Sequence, residues 1–251
     1  MKVVIECLDG GEIVSDYCFK GWLGAKNAGH DVILMSLSQL SMVKDRSSLK
    51  ELMPIGSIMY MQWFFHYVHN IGTPAPLKVH RVPGLFDLDW EEVETKNKIS
   101  YPSFVKPLSD IKRFTGFVAK SVSDFDLYPE LAGWDGPYFC CEPRRFKIDS
   151  EWRIFYHKGE IVNISHYRGD PIALPDELDG SAGDFTRQIN VNISSLPVAF
   201  TLDVGVYLEQ NYTFPIELND MWAIGPYGCP EGVYFKMLKD RWFEILKGEK
   251  V

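Results

Sequence analysis

Asp203 lies in the run AFTLDVGVYLE, and Glu217 and Asn219 lie in TFPIELND. Ala199–Glu209 and Thr213–Asn219 read as β-strands. Gln210, Asn211 and Tyr212 lie between them, and the Gln-Asn pair supplies turn chemistry, so the two runs read as an antiparallel hairpin. Side chains two apart on a strand share a face, which groups Glu217 with Asn219, and a short loop centred near Gln210 sets Asp203 opposite Glu217. Like charges directly opposite destabilise a strand pair. A hard divalent cation removes that penalty, and carboxylate and amide oxygens suit magnesium. The plainer alternative is an acidic strand in solvent, although Asp203 is set between Leu202 and Val204, and Glu217 between Ile216 and Leu218.

Two further stretches carry charge in unexpected places. Lys106 precedes a proline inside the apolar run SFVKPL, so its ammonium must reach a partner outside the sheet. A nucleotide phosphate is one such partner and solvent at a sheet edge is the other. In FCCEPRRFKIDSEWRIF, Glu142 closes an apolar strand, and Glu151 and Arg153 follow two apart on the face of the next one. An edge-lying strand end with free backbone groups can hydrogen-bond an adenine, and a carboxylate there can hold ribose hydroxyls. The alternative is a surface ion pair between Glu151 and Arg153, of small energetic weight.

The elements that must position these groups are legible in outline. Lys2–Leu8 reads as a buried strand stopping at Asp9-Gly10-Gly11, Ser15–Ala28 as a helix ending near Gly29, and Asp31–Met35 as a second strand, a β-α-β opening. Ser57–Phe65, rich in Met, Tyr, Trp and Phe, reads as a strand or buried segment, and Thr73–Leu77 as a turn. A composition shift over Phe86–Lys98 suits a surface linker or short helix and divides the chain into 1–98 and 99–251. Strands are expected at Ser103–Leu108, Phe114–Ala119 and Tyr138–Glu142, and a hairpin at Trp152–His157 and Glu160–His166 around Lys158-Gly159. Arg168–Asp184 reads as a mobile loop, Phe185–Ser195 as a helical turn, and Glu231–Leu246 as a helix.

The 251 residues are 46% hydrophobic, enough for a sizeable core, and the net charge of −8 argues against general nucleic-acid binding through a basic surface. Five cysteines with no C-x-x-C spacing, two of them adjacent at Cys140 and Cys141, read as reduced thiols. No apolar run is long enough to span a bilayer and MKVVIECLDGG is too short for a signal peptide, so a soluble cytoplasmic protein is expected.

The order of the parts is strand-lysine, apolar strand ending in Glu, Glu-x-Arg, hairpin, loop, Asp strand, Glu-x-Asn. In FVKPLSDIKRFTGFV, FCCEPRRFKIDSEWRIFYHKGEIV and FTLDVGVYLEQNYTFPIELNDMWAIGPYG, that order resembles the ATP-grasp superfamily, and most of all a small, compact clade often found in phage and prokaryotic genomes. The resemblance implies an α+β ATP-grasp fold, with an N-terminal α/β lobe and two lobes of antiparallel sheet plus helices clamping ATP. It places Lys106 at the nucleotide phosphates, and Cys140, Cys141 and Glu142 in the hinge that reads adenine through backbone groups. Glu151 falls where the ribose is held, Arg153 at the phosphates or the acyl group, and Arg168, by a looser match, near the γ-phosphate. Asp203, Glu217 and Asn219 match the magnesium ligands.

The implied function is an ATP-dependent carboxylate–amine or carboxylate–thiol ligase acting through an acylphosphate, on small-molecule or peptide substrates, with a homodimer left open. Phosphoryl transfer without ligation and a non-catalytic nucleotide-binding module are the alternatives. The chain departs from the family pattern after Lys106, where SDIKRFTG stands in place of a Gly-rich flap, so that either Lys112 or Arg113 replaces backbone amides or the flap is short and encloses the phosphates less. A second, upstream phosphate-binding cation falls to Lys96 or Lys98. His157 and His166 have weaker claims. Trp222, Tyr227 and Gly228 either line the substrate end or pack the sheet.

Overall fold

The computed structural model describes residues 1–82, 88–108, 114–143, 148–173, 196–210 and 212–248. Lys112 and Arg113, the expected loop beyond residue 173, the helical turn over Phe185–Ser195 and the turn residue Asn211 lie outside the described residues. The chain divides into two compact units, one of Met1–Val79 with Asp149–Val251 and one of His80–Ile148.

The chain opens with β1 (Lys2–Glu6), α1 (Asp16–Asn27) and β2 (Asp31–Met35), and β1 and β2 pair in parallel with Val3 opposite Val32. Ser15 starts α1 by accepting the Cys18 N–H at 3.4 Å, and the left-handed Gly29 (φ 74°) lies just past its end. After α2 (Leu37–Met42) comes a third parallel strand, β3 (Leu52–Ile55), which the sequence had not signalled. It joins β1 from the other side, giving the order β2-β1-β3. Pro54 is tolerated there because β3 is an edge strand.

Of the two readings of Ser57–Phe65, the buried segment holds and the strand is corrected. Ile58–Trp63 is a helix, α3, and it widens into a π-helical turn over Phe64–His69. Ser57 caps it, accepting the Tyr60 N–H at 3.3 Å. Tyr60, Met61, Phe64, Phe65 and Val68 are buried, a helical spacing that a short apolar run conceals. His69 packs edge-on against Trp242 with centroids 5.2 Å apart. Burial, with the Lys50 charge adding to it, holds the His69 pKa below its ordinary value. An imidazole with a lowered folded-state pKa contributes stability above the unfolded pKa of about 6.5, and that contribution is lost as pH falls. We therefore expect the thermal midpoint to drop on acidification from neutral pH, with a shallower drop in His69→Phe.

The second unit holds a four-stranded antiparallel sheet of β4 (Trp90–Val93), β5 (Ser103–Pro107), β6 (Phe117–Ala119) and β7 (Tyr138–Cys141), in the order β4-β7-β5-β6. Part of the expected linker is thus strand. One face of this sheet, with Val93, Val105, Tyr138 and Cys140, packs on Phe125 and Leu131. The other carries Lys106 and Phe139.

The first unit then resumes with β8 (Ser150–His157), β9 (Glu160–Gly169), β10 (Ala199–Tyr207) and β11 (Tyr212–Asp220), an antiparallel sheet ordered β11-β10-β8-β9. Both expected hairpins are present. The chain's last described helix, α4 (Glu231–Lys247), packs against α1, and its Phe235, Leu238 and Trp242 join Val4, Ile5, Phe64 and Phe65 in one core. The two helices meet at Gly24, where an added Cβ would lie 2.4 Å from the Glu231 carbonyl oxygen. Gly24→Ala is expected to destabilise the fold by about 1–3 kcal/mol through overpacking, read by denaturant unfolding.

Candidate functional site

The hairpin register places Asp203 directly opposite Glu217 and Thr201 opposite Asn219, with a bulge between Asp203 and Val204. The other edge of β10 sets Asp203 opposite Arg153, and β9 sets Ser165 opposite Arg153. One row therefore crosses the sheet as Ser165, Arg153, Asp203, Glu217, all facing one way. Along the same face, Glu151 and Arg168 form the next row in one direction and Asn219 lies in the next row in the other.

Arg153 and Asp203 are each only 4% exposed. The guanidinium grips the carboxylate in a fork, with Nε donating to Oδ1 and Nη2 to Oδ2, both at 2.7 Å, while Nη1 donates to the Gly225 carbonyl at 3.3 Å. The Tyr227 ring lies 4.6 Å and the Tyr167 ring 5.7 Å from the guanidinium carbon, and the two rings stack at 5.0 Å. Tyr227 does this from a left-handed backbone (φ 41°), a conformation that costs a side-chain-bearing residue energy. Burial disfavours the charge on Arg153, and the hydrogen bonds and attraction of Asp203 more than restore it. Burial pushes the Asp203 carboxyl above its ordinary pKa; Arg153 opposes that, and the charges of Glu217 and Glu151 reinforce it.

The surface pair considered for Glu151 and Arg153 does not form. Glu151 instead accepts the Tyr167 hydroxyl at 2.8 Å and Arg168 Nη1 at 2.9 Å. Arg168 lies on β9 rather than opening a loop, and its side chain is 75% exposed. Asn219 donates Nδ2 to Asp203 at 3.2 Å. Glu217 is exposed and has no hydrogen-bond or ion-pair partner among the described residues.

In the second unit, the Lys106 ammonium lies over the Phe139 ring, 4.7 Å from its centroid. The edge-lying strand expected to end at Glu142 is corrected. β7 lies between β4 and β5, so Cys140 and Cys141 are in register on both sides, and the Cys141 carbonyl also accepts the Ser103 hydroxyl at 3.0 Å. Cys140 faces the core, where burial raises its thiol to about 11. Glu142, outside the strand, is exposed. All five cysteines are buried and none is in a disulfide.

Sequence reasoning missed the tyrosine stack around Arg153, whose signal was the aromatic flanking of Arg168 and the YG after NDMWAIGP. It also missed a second buried pair, Arg241 with Asp220 (2.8 and 2.6 Å), which ties α4 to the end of β11.

Whether Asp203, Glu217 and Asn219 suit magnesium is decided by their donor chemistry. Among the described residues no three His, Cys, Asp or Glu side chains gather as a metal site, so the trio depends on its amide. Glu217 brings an unengaged carboxylate. Asn219 has an amide oxygen to offer once its nitrogen faces Asp203. Asp203 Oδ1, holding one donor, retains a further acceptor position. Three hard oxygens on one face fit a hard cation.

Residues 86–237 match the profile of the ATP-grasp domain, R2K clade family 2. The chain belongs to that family. Solved ATP-grasp relatives share its fold at low identity. The D-alanine–D-alanine ligase from Bacillus anthracis is 13% identical, with 99% of this chain and 98% of that one covered and a TM-score of 0.56. D-cycloserine synthetase DcsG is 9% identical, covering 96% of this chain and 100% of that one (TM-score 0.57). The ADP complex of purK, an N5-carboxyaminoimidazole ribonucleotide synthetase, is 11% identical over 96% and 76% of the two chains (TM-score 0.59). No curated protein matches the sequence. The ATP-grasp fold accounts for the α/β opening and the two antiparallel sheets. Among the described residues no helix is long and apolar enough to cross a membrane.

Proposed function

We propose that the protein is an ATP-dependent ligase that joins a carboxylic acid to an amine, releasing ADP and phosphate. The observation that carries this reading is the oxygen trio of Asp203, Glu217 and Asn219 on one face of an antiparallel sheet, in a chain of the ATP-grasp family. That its structural relatives include a D-alanine–D-alanine ligase and a D-cycloserine synthetase agrees with it.

In this account Glu217, Asn219 and Asp203 hold magnesium. A magnesium ion held by these oxygens would supply positive charge to offset that of the phosphates. Arg153 acts through Asp203 rather than on the substrate: the fork fixes the carboxylate and leaves Oδ1 a further acceptor position. Glu151, hydrogen-bonded by Tyr167, accepts ribose hydroxyls. Arg168 is exposed and, among the described residues, held by a single ion pair, so it can exchange Glu151 for a phosphoryl oxygen at small cost. Lys106 and Lys112 supply charge to the phosphates, with Lys96 or Lys98 as the second, upstream cation. The adenine-reading backbone is assigned to the chain following Cys141, at Glu142 and Pro143. The γ-phosphoryl group passes to the substrate carboxylate, and the amine then displaces phosphate from the acylphosphate.

Incubation with ATP, magnesium, a carboxylic acid panel and hydroxylamine tests the reading. ADP release matched by acyl hydroxamate is the expected result. A stable phosphorylated product with no need for a nucleophile would replace ligation by simple phosphoryl transfer.

A further inference from the structure

Glu6 ends β1, the central strand of the parallel sheet, at its carboxyl end. The chain runs β1, β2, β3 but the strands lie in the order β2-β1-β3, so the winding reverses beside β1. In open parallel sheets ligands bind outside the carboxyl ends of strands at such a reversal. Here that point lies between Glu6 and the Gly56-Ser57 step after β3.

The side chains at this point are unusual. Glu6 is 8% exposed, accepts the Ser57 hydroxyl at 3.1 Å on Oε1 and the Ser57 N–H on Oε2, and has no ion-pair partner among the described residues. A buried carboxylate without a counter-charge is costly, and each of its oxygens retains an acceptor position. Independently, the Tyr60 hydroxyl on α3 is fully buried with no hydrogen-bond partner among the described residues. The Tyr60 phenol is near enough to Glu6 for that charge, after burial itself, to raise its pKa. An unpaired buried hydroxyl is also costly. The remaining strand end repeats the chemistry. Ser36, after β2, is linked through Ser38 (2.8 Å between hydroxyls) to the Asp9 carboxylate.

We propose that this end of the sheet is a subsite for a primary ammonium group of a substrate, held by the Glu6 carboxylate with the Tyr60 hydroxyl beside it. An ammonium has three donors and no acceptor, which matches two open carboxylate positions and an unpaired phenol oxygen. The inference deepens the ligase reading and rests on it, since either the acid or the amine can carry the ammonium.

The test begins without ATP. Amino acids and their matching 2-hydroxy acids are titrated calorimetrically into the wild type, Glu6→Gln and Tyr60→Phe. At least one amino acid is expected to bind where its hydroxy acid does not, and Glu6→Gln is expected to weaken it about 10–100-fold. Tyr60→Phe removes only an unpartnered oxygen, so it should leave the fold as stable as before and still weaken the same ligand several-fold. Failure of every amino acid to bind the wild type overturns the proposal, as does wild-type affinity in both variants. If Glu6 merely fastens the turn at Ser57, Glu6→Gln will lower stability and leave affinity unchanged, which also overturns it.

Turnover then identifies the source. A raised KM for the acid in hydroxamate formation assigns the ammonium to the acid, and a raised KM for the amine alone assigns it to the amine. Absence of turnover would count against the ligase reading, while the ATP-free titration still decides the role of Glu6.

Discussion

Glu217→Gln is expected to lower magnesium-dependent ADP release by about 10²–10³-fold, the loss typical of removing one charge-stabilising group from a site of this kind. It should leave the thermal midpoint within about 2 °C of wild type, because exposed substitutions rarely change stability by more than a few tenths of a kcal/mol. Both halves follow from one geometry. Glu217 is exposed and has no protein partner among the described residues, so the fold does not depend on its charge. Its register partner is Asp203, so the substitution removes a like-charge opposition. A carboxylate that the fold would be better without is best explained by a ligand. The check is an ADP-release assay over a magnesium titration, beside a thermal melt. Equal activity in the variant at every magnesium concentration would remove Glu217 from the metal site.

Arg153→Met is expected to destabilise the fold by about 3–5 kcal/mol, because it leaves Asp203 buried without its counter-charge. The same change strips a cation from beside the stacked Tyr167 and Tyr227 rings. Adding Asp203→Leu should recover most of that stability, since an apolar pair of similar volume can replace a buried ion pair at little or no cost. Activity should not recover, because the double variant lacks a metal ligand. Chemical denaturation of the two single variants and the double variant measures the coupling. Additive effects would mean that the fork contributes nothing beyond its separate parts.

The hairpin was legible because strand alternation and polar turn residues act locally, but the pairing next to the turn, Tyr207 with Tyr212, would set Asp203 opposite Ile216, and only the bulge between Asp203 and Val204 brings it opposite Glu217. The opening β-α-β was legible for the same reason, with Ser15 and Gly29 marking the helix ends. What escaped depended on contacts far apart in sequence. The partner of Arg153 is 50 residues away on β10, and nothing near EWR chooses Asp203 over Glu151. The bulge at Glu151/Trp152 turns Tyr167 into line with Arg168, which period-two reasoning cannot foresee. β7 looked like an edge because its neighbour β4 is a four-residue strand inside a mixed, acidic segment. α3 was obscured because a short apolar run satisfies both periods, although Ser57 before it carried the cap signal.

The central claim is that Asp203, Glu217 and Asn219 hold the cation that binds the triphosphate. Crystals grown with manganese, as a scatterer in place of magnesium, and a non-hydrolysable ATP analogue test it most directly. The expected result is an anomalous peak about 2.0–2.2 Å from oxygens of Glu217 and Asn219, with Asp203 completing the set and Arg153 still gripping it. Bound nucleotide with its manganese elsewhere, and Glu217 still facing solvent, would contradict the account.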